Sequence, residues 1–295
     1  MNTAASLRAR LRAAPLLLDG GLATTLEDQG ADLNSPLWSA MVMRSDPDAI
    51  AAVQRAFLAA GADVVTTSTY QASRAGFAQV GMSAAQTDAL IAESAARARA
   101  VANSVNREIL TVGSVGPYGA ILHDGSEYRG DYQLTVAELR EFHRPRLAAL
   151  AADCDVLAFE TIPQLREVEA LLAELATLGV PAWLSVSATG DRLRSGESVA
   201  AAFDMATSVP QIIAVGGNCI DPADATAIVE LAADTGLPPI IYPNSGETWA
   251  AGMWSGQPRA QTDATAWLRA GACAIGGCCR VTPAHISAMA AALGR

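Results

Sequence analysis

The sequence contains no lysine: all 20 basic residues are arginine. That excludes a Schiff-base lysine and a P-loop lysine as catalytic devices. Histidine is scarce, with three copies, His123, His143 and His285. These are expected to be structural or exposed rather than metal ligands. Cysteine is sparse and odd in number, at Cys154, Cys219, Cys273, Cys278 and Cys279. A secreted disulfide scaffold does not fit that count, whereas a reduced setting leaves thiols free for metal or chemistry. No uninterrupted apolar run is long enough to span a bilayer. The opening "MNTAASLRARLRAAPLLLDGG" has only a short apolar part that runs into Asp19. It reads as a short helix entering a strand rather than a signal peptide, so a cytoplasmic location is expected. The formal charge of -10 argues against nucleic acid and anionic membrane as partners, and suits a cationic ligand.

Hydrophobic residues make up 51% of the chain, so it is globular rather than disordered. Eight short apolar runs stand out: 15–20, 63–70, 109–117, 155–163, 181–189, 211–219, 238–246 and 272–279. Each ends in polar or glycine residues, as buried parallel strands do. Helical patterns lie between them. One is capped by Asp46 with Pro47 in its first turn, another by Thr135 with Glu138 three residues on; both are helix-start signatures. Strand and helix alternate without a linker, and 295 residues suit a single α/β domain, a (β/α)8 TIM barrel, typically ~250 residues long. A doubly wound sheet is the rival, but no G-x-G-x-x-G follows the first strand.

In such a barrel the site forms at the C-terminal strand ends. Asp19, Tyr70, Glu160, Cys219, Asn244, Cys278 and Cys279 all fall there, so residues far apart in sequence are expected to meet at one mouth. The adjacent thiols of "IGGCCRVTP" are poorly placed to bond each other. A trans peptide holds their Cα atoms ~3.8 Å apart, whereas disulfides usually want about 4.4–6.8 Å. Inside a strand they would face opposite sides; at its end, after Gly276 and Gly277, a bend or a close backbone approach lets both face one point. Cys219 ends another strand in "GGNC". Together the three make an open set of three thiolate ligands. Soft sulfur selects zinc among the abundant metals, and a free fourth position is the catalytic pattern. Taken alone, each cysteine also reads as a small buried hydrophobe. Cys154 and Cys273 are assigned to the core.

"GGNC" followed by "GGCCR-x-TP" resembles the zinc signature of homocysteine S-methyltransferases. Further segments are similar to the bacterial single-domain members that use S-methylmethionine: "LLLDGGLATTLEDQGADLNSPLWSA", "TSTYQAS", "GSVGPYGAILHDGSEYRGDY", "FHRPR", "FETIP" and "YPNSGE". The resemblance covers nearly the whole chain. It implies a TIM barrel over 1–295 as one homocysteine-binding zinc domain; separately, a monomer or small homo-oligomer is expected. It implies Zn²⁺ on Cys219, Cys278 and Cys279, and transfer of a methyl group from a sulfonium donor (S-methylmethionine, S-adenosylmethionine or both) to homocysteine. Metal binding deprotonates the substrate thiol, so no general base is needed. The resemblance maps the acids that hold the homocysteine ammonium onto Asp19 and Glu160. Backbone N–H groups near Gly20–Gly21 are candidates for the carboxylate. Tyr70 offers a π-face to the cationic donor. Asn244 lines the site or stands in at the open metal position, and Asn218 is a candidate donor to the Cys219 thiolate. The long loop after strand 3 reads as a lid, with Asp124, Glu127 and Tyr128 facing the donor. Arg280 is expected to offset thiolate charge or cap a helix, and the Trp249/Trp254 segment to form a lid or packing surface.

Three other readings remain at the level of sequence, one of them a non-catalytic redox or zinc-storage protein. A betaine-dependent enzyme would share the cysteine motifs but normally carries a longer C-terminal arm; this chain runs about sixteen residues past Cys279. A barrel hydrolase would use Asp19 and Glu160 as acid and base, with structural cysteines.

Overall fold

The structure, a computed structural model, describes residues 3–33, 37–250 and 253–295, with the side chains at 248–250, 253–254 and 260–262 outside the description. Helices begin where the sequence supplies caps. Thr135 and Glu138 form a reciprocal capping box at the start of helix Val136–Leu150. Asp46 accepts from the Ala49 N–H and Pro47 opens helix Pro47–Ala59. Three short helices are absent from the sequence reading: Leu22–Asp28, Ser39–Ser45 and Arg74–Ala78. Elements of five to seven residues hardly complete two turns, too few for a 3.6-residue period to register.

The eight barrel strands are β1 Leu16–Leu17, β2 Val64–Thr66, β3 Leu110–Val115, β4 Val156–Ile162, β5 Ala182–Val186, β6 Ile212–Asn218, β7 Pro239–Tyr242 and β8 Ala274–Ile275. Each falls inside one of the apolar runs. Their order, β1-β8-β7-β6-β5-β4-β3-β2, is that of a (β/α)8 TIM barrel, and every paired junction is parallel. The remaining junction, β1 to β2, closes through carboxylates more than through ladder bonds. Asp63 N–H donates to Leu17 O at 2.7 Å, and the Asp63 carboxylate accepts from Leu17 N–H at 2.9 Å. One turn higher, Asp19 Oδ2 accepts from Thr66 N–H at 2.9 Å.

Side-chain alternation explains where the polar groups go. Leu16, Leu110, Val112, Val156, Ala158, Trp183 and Ile240 share the lumen cluster, while their strand neighbours Leu17, Leu157, Phe159 and Ile241 pack outward beneath the helices. Leu7 and Leu11 of helix Ala4–Ala13 belong to the lumen cluster and close its lower end. Two residues further along the same inward rows stand Thr66, Ser114, Glu160 and Ser185, with Tyr242 beside them. The lumen is therefore apolar below and polar at its C-terminal end. Small antiparallel hairpins, Ala188–Thr189 with Arg192–Leu193 and Thr248–Ala250 with Met253–Ser255, decorate the loops after β5 and β7. Among the described residues, no helix is long and apolar enough to cross a membrane.

Candidate metal centre

Cys219 follows the last residue of β6, while Cys278 and Cys279 lie in the turn after β8. Their sulfur atoms all lie within 4.8 Å of one another, and Cys219 Sγ is 3.7 Å from Cys279 Sγ. Backbone geometry aims them. Cys219 has φ 54°, a left-handed conformation that turns its side chain out of the strand's alternation. Cys278 N–H donates to Pro243 O at 2.8 Å, and Ser245 N–H to Cys279 O at 3.0 Å. The glycines before the pair act by close approach: neither has positive φ. A Cβ on Gly277 would lie 2.2 Å from the Val281 side chain, and one on Gly276 2.6 Å from Leu18 Cβ.

The donor set fits zinc. Bonds of ~2.3 Å in a tetrahedron place sulfur ligands ~3.8 Å apart, close to the 3.7 Å found between Cys219 and Cys279. Three thiols leave one position for a substrate. They titrate as a set: Cys219 falls well below the ordinary thiol range because the Cys278 and Cys279 thiols hydrogen-bond to it, and those two rise in turn.

Two carboxyls share this mouth. Glu160, on the inward face of β4, accepts from Ser114 Oγ and, at 3.2 Å, from the Tyr242 hydroxyl. Burial pushes it up to about 7; the Ser114 and Tyr242 bonds oppose that rise, and the Asp19 charge adds to it. Asp19 is pushed up to about 6 by burial, against two hydrogen bonds from Thr66. Asn218 clamps the chain beyond Glu160. Its Oδ1 accepts from Thr161 N–H at 2.6 Å and its Nδ2 donates to Thr161 Oγ1 at 2.8 Å. That clamp holds Thr161 at φ 61°, unfavourable for a β-branched residue and tolerated where surroundings over-determine it. Asn218 also reaches Cys278 Sγ at 3.9 Å rather than the Cys219 sulfur.

Tyr70 lies against Gly116, where an added Cβ would meet its ring at 2.5 Å, and its hydroxyl feels the charge of Cys219. Asn244 Oδ1 accepts from Cys279 N–H at 3.1 Å, holding the thiol-bearing turn. Gly21 N–H is already bonded to Val281 O at 2.9 Å, which removes it as a carboxylate donor. Arg280 reaches outward to Asp28 at 3.1 Å and Glu247 at 3.4 Å, away from the thiols it was expected to offset. Cys154 is buried, but Cys273 is only partly so, which corrects its assignment to the core. The three histidines stay off the sulfur cluster: His143 bonds Glu167 in a buried network, His285 caps a helix, and His123 sits exposed on the loop after β3. The side chains of Trp249 and Trp254 lie outside the described residues. Sequence reasoning named Tyr128 only as a donor-facing loop residue; its hydroxyl is 3.1 Å from Cys219 Sγ. No spacing rule joins positions 91 residues apart.

The sequence profile described as homocysteine S-methyltransferase matches residues 16–293. The chain belongs to the homocysteine S-methyltransferase family. It is 43% identical to the homocysteine S-methyltransferase of Escherichia coli K12, over 94% of both chains. It is 41% identical to the homocysteine S-methyltransferase YbgG of Bacillus subtilis 168, over 94% of this chain and 93% of that one. The crystal structure of the Escherichia coli homocysteine methyltransferase MmuM in its metallated form superposes with TM-score 0.87 at 40% identity, covering 96% of this chain and 99% of that one. Within this methyltransferase fold, the sulfur cluster and the two carboxyls occupy the strand ends where barrel enzymes place their chemistry.

Proposed function

We propose that the whole chain, 1–295, acts as one zinc-dependent domain that moves a methyl group from a sulfonium donor, S-methylmethionine or S-adenosylmethionine, to homocysteine, forming methionine. The observation that carries this reading is the cluster of three thiols at the barrel mouth, beside Asp19 and Glu160. Cys219, Cys278 and Cys279 would hold the zinc, which supplies Lewis acidity to keep the homocysteine sulfur deprotonated at neutral pH.

The chain's own groups do the rest. Asp19 and Glu160 bind the substrate ammonium. Each is costly to ionise when the site is empty, so an arriving cation restores their charged forms. Thr66 holds Asp19 in place, while Ser114 and Tyr242 hold Glu160. Tyr70 and Tyr128 line the space beside the sulfurs, with the Tyr128 hydroxyl 3.1 Å from Cys219 Sγ. The homocysteine sulfur attacks the donor methyl in line. A carbon–sulfur bond forms as the donor's breaks, the bonding pair leaves on the donor sulfur as a neutral thioether, and the thiol proton goes to solvent. Thiolate and sulfonium charges cancel along this path, so a partly dry mouth favours it, and in-line positioning supplies much of the remainder.

A reduced cytoplasm keeps the cluster free of disulfides, and the charge of -10 disfavours nucleic acid. A monomer or small homo-oligomer suffices, since the site draws on one chain. The test is methionine formation from homocysteine with S-methylmethionine, S-adenosylmethionine or betaine as donor. Turnover with at least one sulfonium and none with betaine is expected; turnover with betaine alone refutes the sulfonium reading.

A further inference from the structure

The loop after β3 carries a charged group that this reaction leaves unused. Glu127 lies in the turn Ser126–Tyr128. Its Oε2 is buried and has no hydrogen-bond partner among the described residues. The cations around it are engaged elsewhere. Arg129 pairs with Asp131 at 2.8 Å and Asp124 at 3.4 Å. Arg194 bonds Ser187 Oγ and Thr189 Oγ1, with its guanidinium 5.9 Å from the centre of the Tyr128 ring. The loop is anchored over the sulfur cluster by Tyr128, whose hydroxyl is 3.1 Å from Cys219 Sγ. It is also folded back on itself, since a Cβ on Gly119 would lie 2.6 Å from Glu127 N. Burial pushes Glu127 above the usual carboxylate range; a hydrogen bond from its own backbone N–H and the Arg129 charge oppose that rise, and the negative charge of Cys219 and Asp124 adds to it. Glu127 directly precedes Tyr128, so the contact of the Tyr128 hydroxyl with Cys219 ties the Glu127 backbone to the barrel mouth.

A buried carboxylate oxygen with no donor, among anions, is a standing cost. It is relieved when a cation enters. Asp19 and Glu160 are already assigned to the acceptor's ammonium, and each is held by its own partners, Thr66 for Asp19 and Ser114 with Tyr242 for Glu160. We infer that Glu127 binds the positive charge of the methyl donor and selects for a cationic sulfonium. This rests on the sulfonium reading above. Tyr70 completes the subsite with an aromatic face suited to a cation, while the Tyr128 ring already carries the Arg194 guanidinium.

The test uses the zinc-loaded full chain and the variants Glu127→Gln, of the same shape without charge, and Glu127→Asp, which keeps the charge. Loss of a charge-assisted contact predicts that Glu127→Gln raises the KM for S-methylmethionine ~10-fold or more. Titration of S-methylmethionine without homocysteine should show binding weakened by a similar factor. The KM for homocysteine and the bound zinc should stay within about twofold of wild type, and Glu127→Asp should recover part of the donor affinity. Donor KM and binding within about twofold of wild type in Glu127→Gln overturn the inference alone. An equal rise in both KM values, or loss of zinc, also overturns it, because the loop would then serve structure only. A wild-type protein that uses no sulfonium overturns the reaction reading and this inference together.

Discussion

Glu160 is expected to stabilise catalysis at the expense of the fold, and Glu160→Gln separates the two. The carboxyl rises from 4.5 to about 7 on folding, chiefly through burial. At ~1.4 kcal/mol for each tenfold change in proton affinity, that rise is a cost of about 3 kcal/mol when the group is forced to ionise, lessened by the solvent that reaches this partly exposed side chain. The sign follows from proton binding. Below the unfolded value both states hold the proton and the group is neutral to stability. As pH rises past 4.5 the unfolded chain ionises first, so stability falls, and the cost is complete above about 7. Glutamine keeps an acceptor oxygen for Ser114, turns an amide N–H toward the Tyr242 hydroxyl oxygen, which can accept it, and removes the ionisation. Urea denaturation of substrate-free protein should therefore show the variant matching wild type near pH 4.5 and exceeding it by up to about 3 kcal/mol near pH 8. Its KM for homocysteine should rise ~10-fold or more, through loss of the ammonium partner. Parallel stability curves across this range would refute the account of Glu160 as a strained, ligand-seeking carboxyl.

Two further perturbations probe the metal and the frame. Cys219→Ser should lose tightly held zinc, dropping from about one ion per chain to a small fraction by elemental analysis, a larger effect than the ~10–100-fold cost of an outer-sphere change. Asp63→Ala removes the acceptor for Leu17 N–H, Arg107 and Arg295 at the β1–β2 seam. It should cost about 3 kcal/mol by denaturation, with the KM for homocysteine little changed in what remains folded.

Much of the architecture is legible in the sequence because its signals are local. Every barrel strand lies in a short apolar run, and Asp46 and Thr135 cap the helices they precede. The convergence of Cys219 with Cys278 and Cys279 is also legible, since strand-end position places all three at one mouth. What escapes is long-range bonding. Asp19 reads as an ammonium ligand, yet it also closes the barrel by accepting from Thr66. Asn218 looks like a partner for Cys219, but the left-handed turn at Thr161 draws its amide there instead. Arg280 sits beside the thiolates in sequence while its own positive φ sends the side chain toward Asp28 and Glu247. Tyr128 reaches Cys219 only because the loop after β3 folds across the mouth. None of these depends on a period or a spacing.

The most direct test of the central claim is the stoichiometry of methionine formed from homocysteine and S-methylmethionine as zinc is removed and restored. The account predicts two methionines for each homocysteine consumed, one from the methylated acceptor and one from the demethylated donor. It predicts loss of that turnover on chelation and recovery on adding zinc to the wild type but not to Cys219→Ser. Undiminished turnover in zinc-stripped protein or in the serine variant would contradict it.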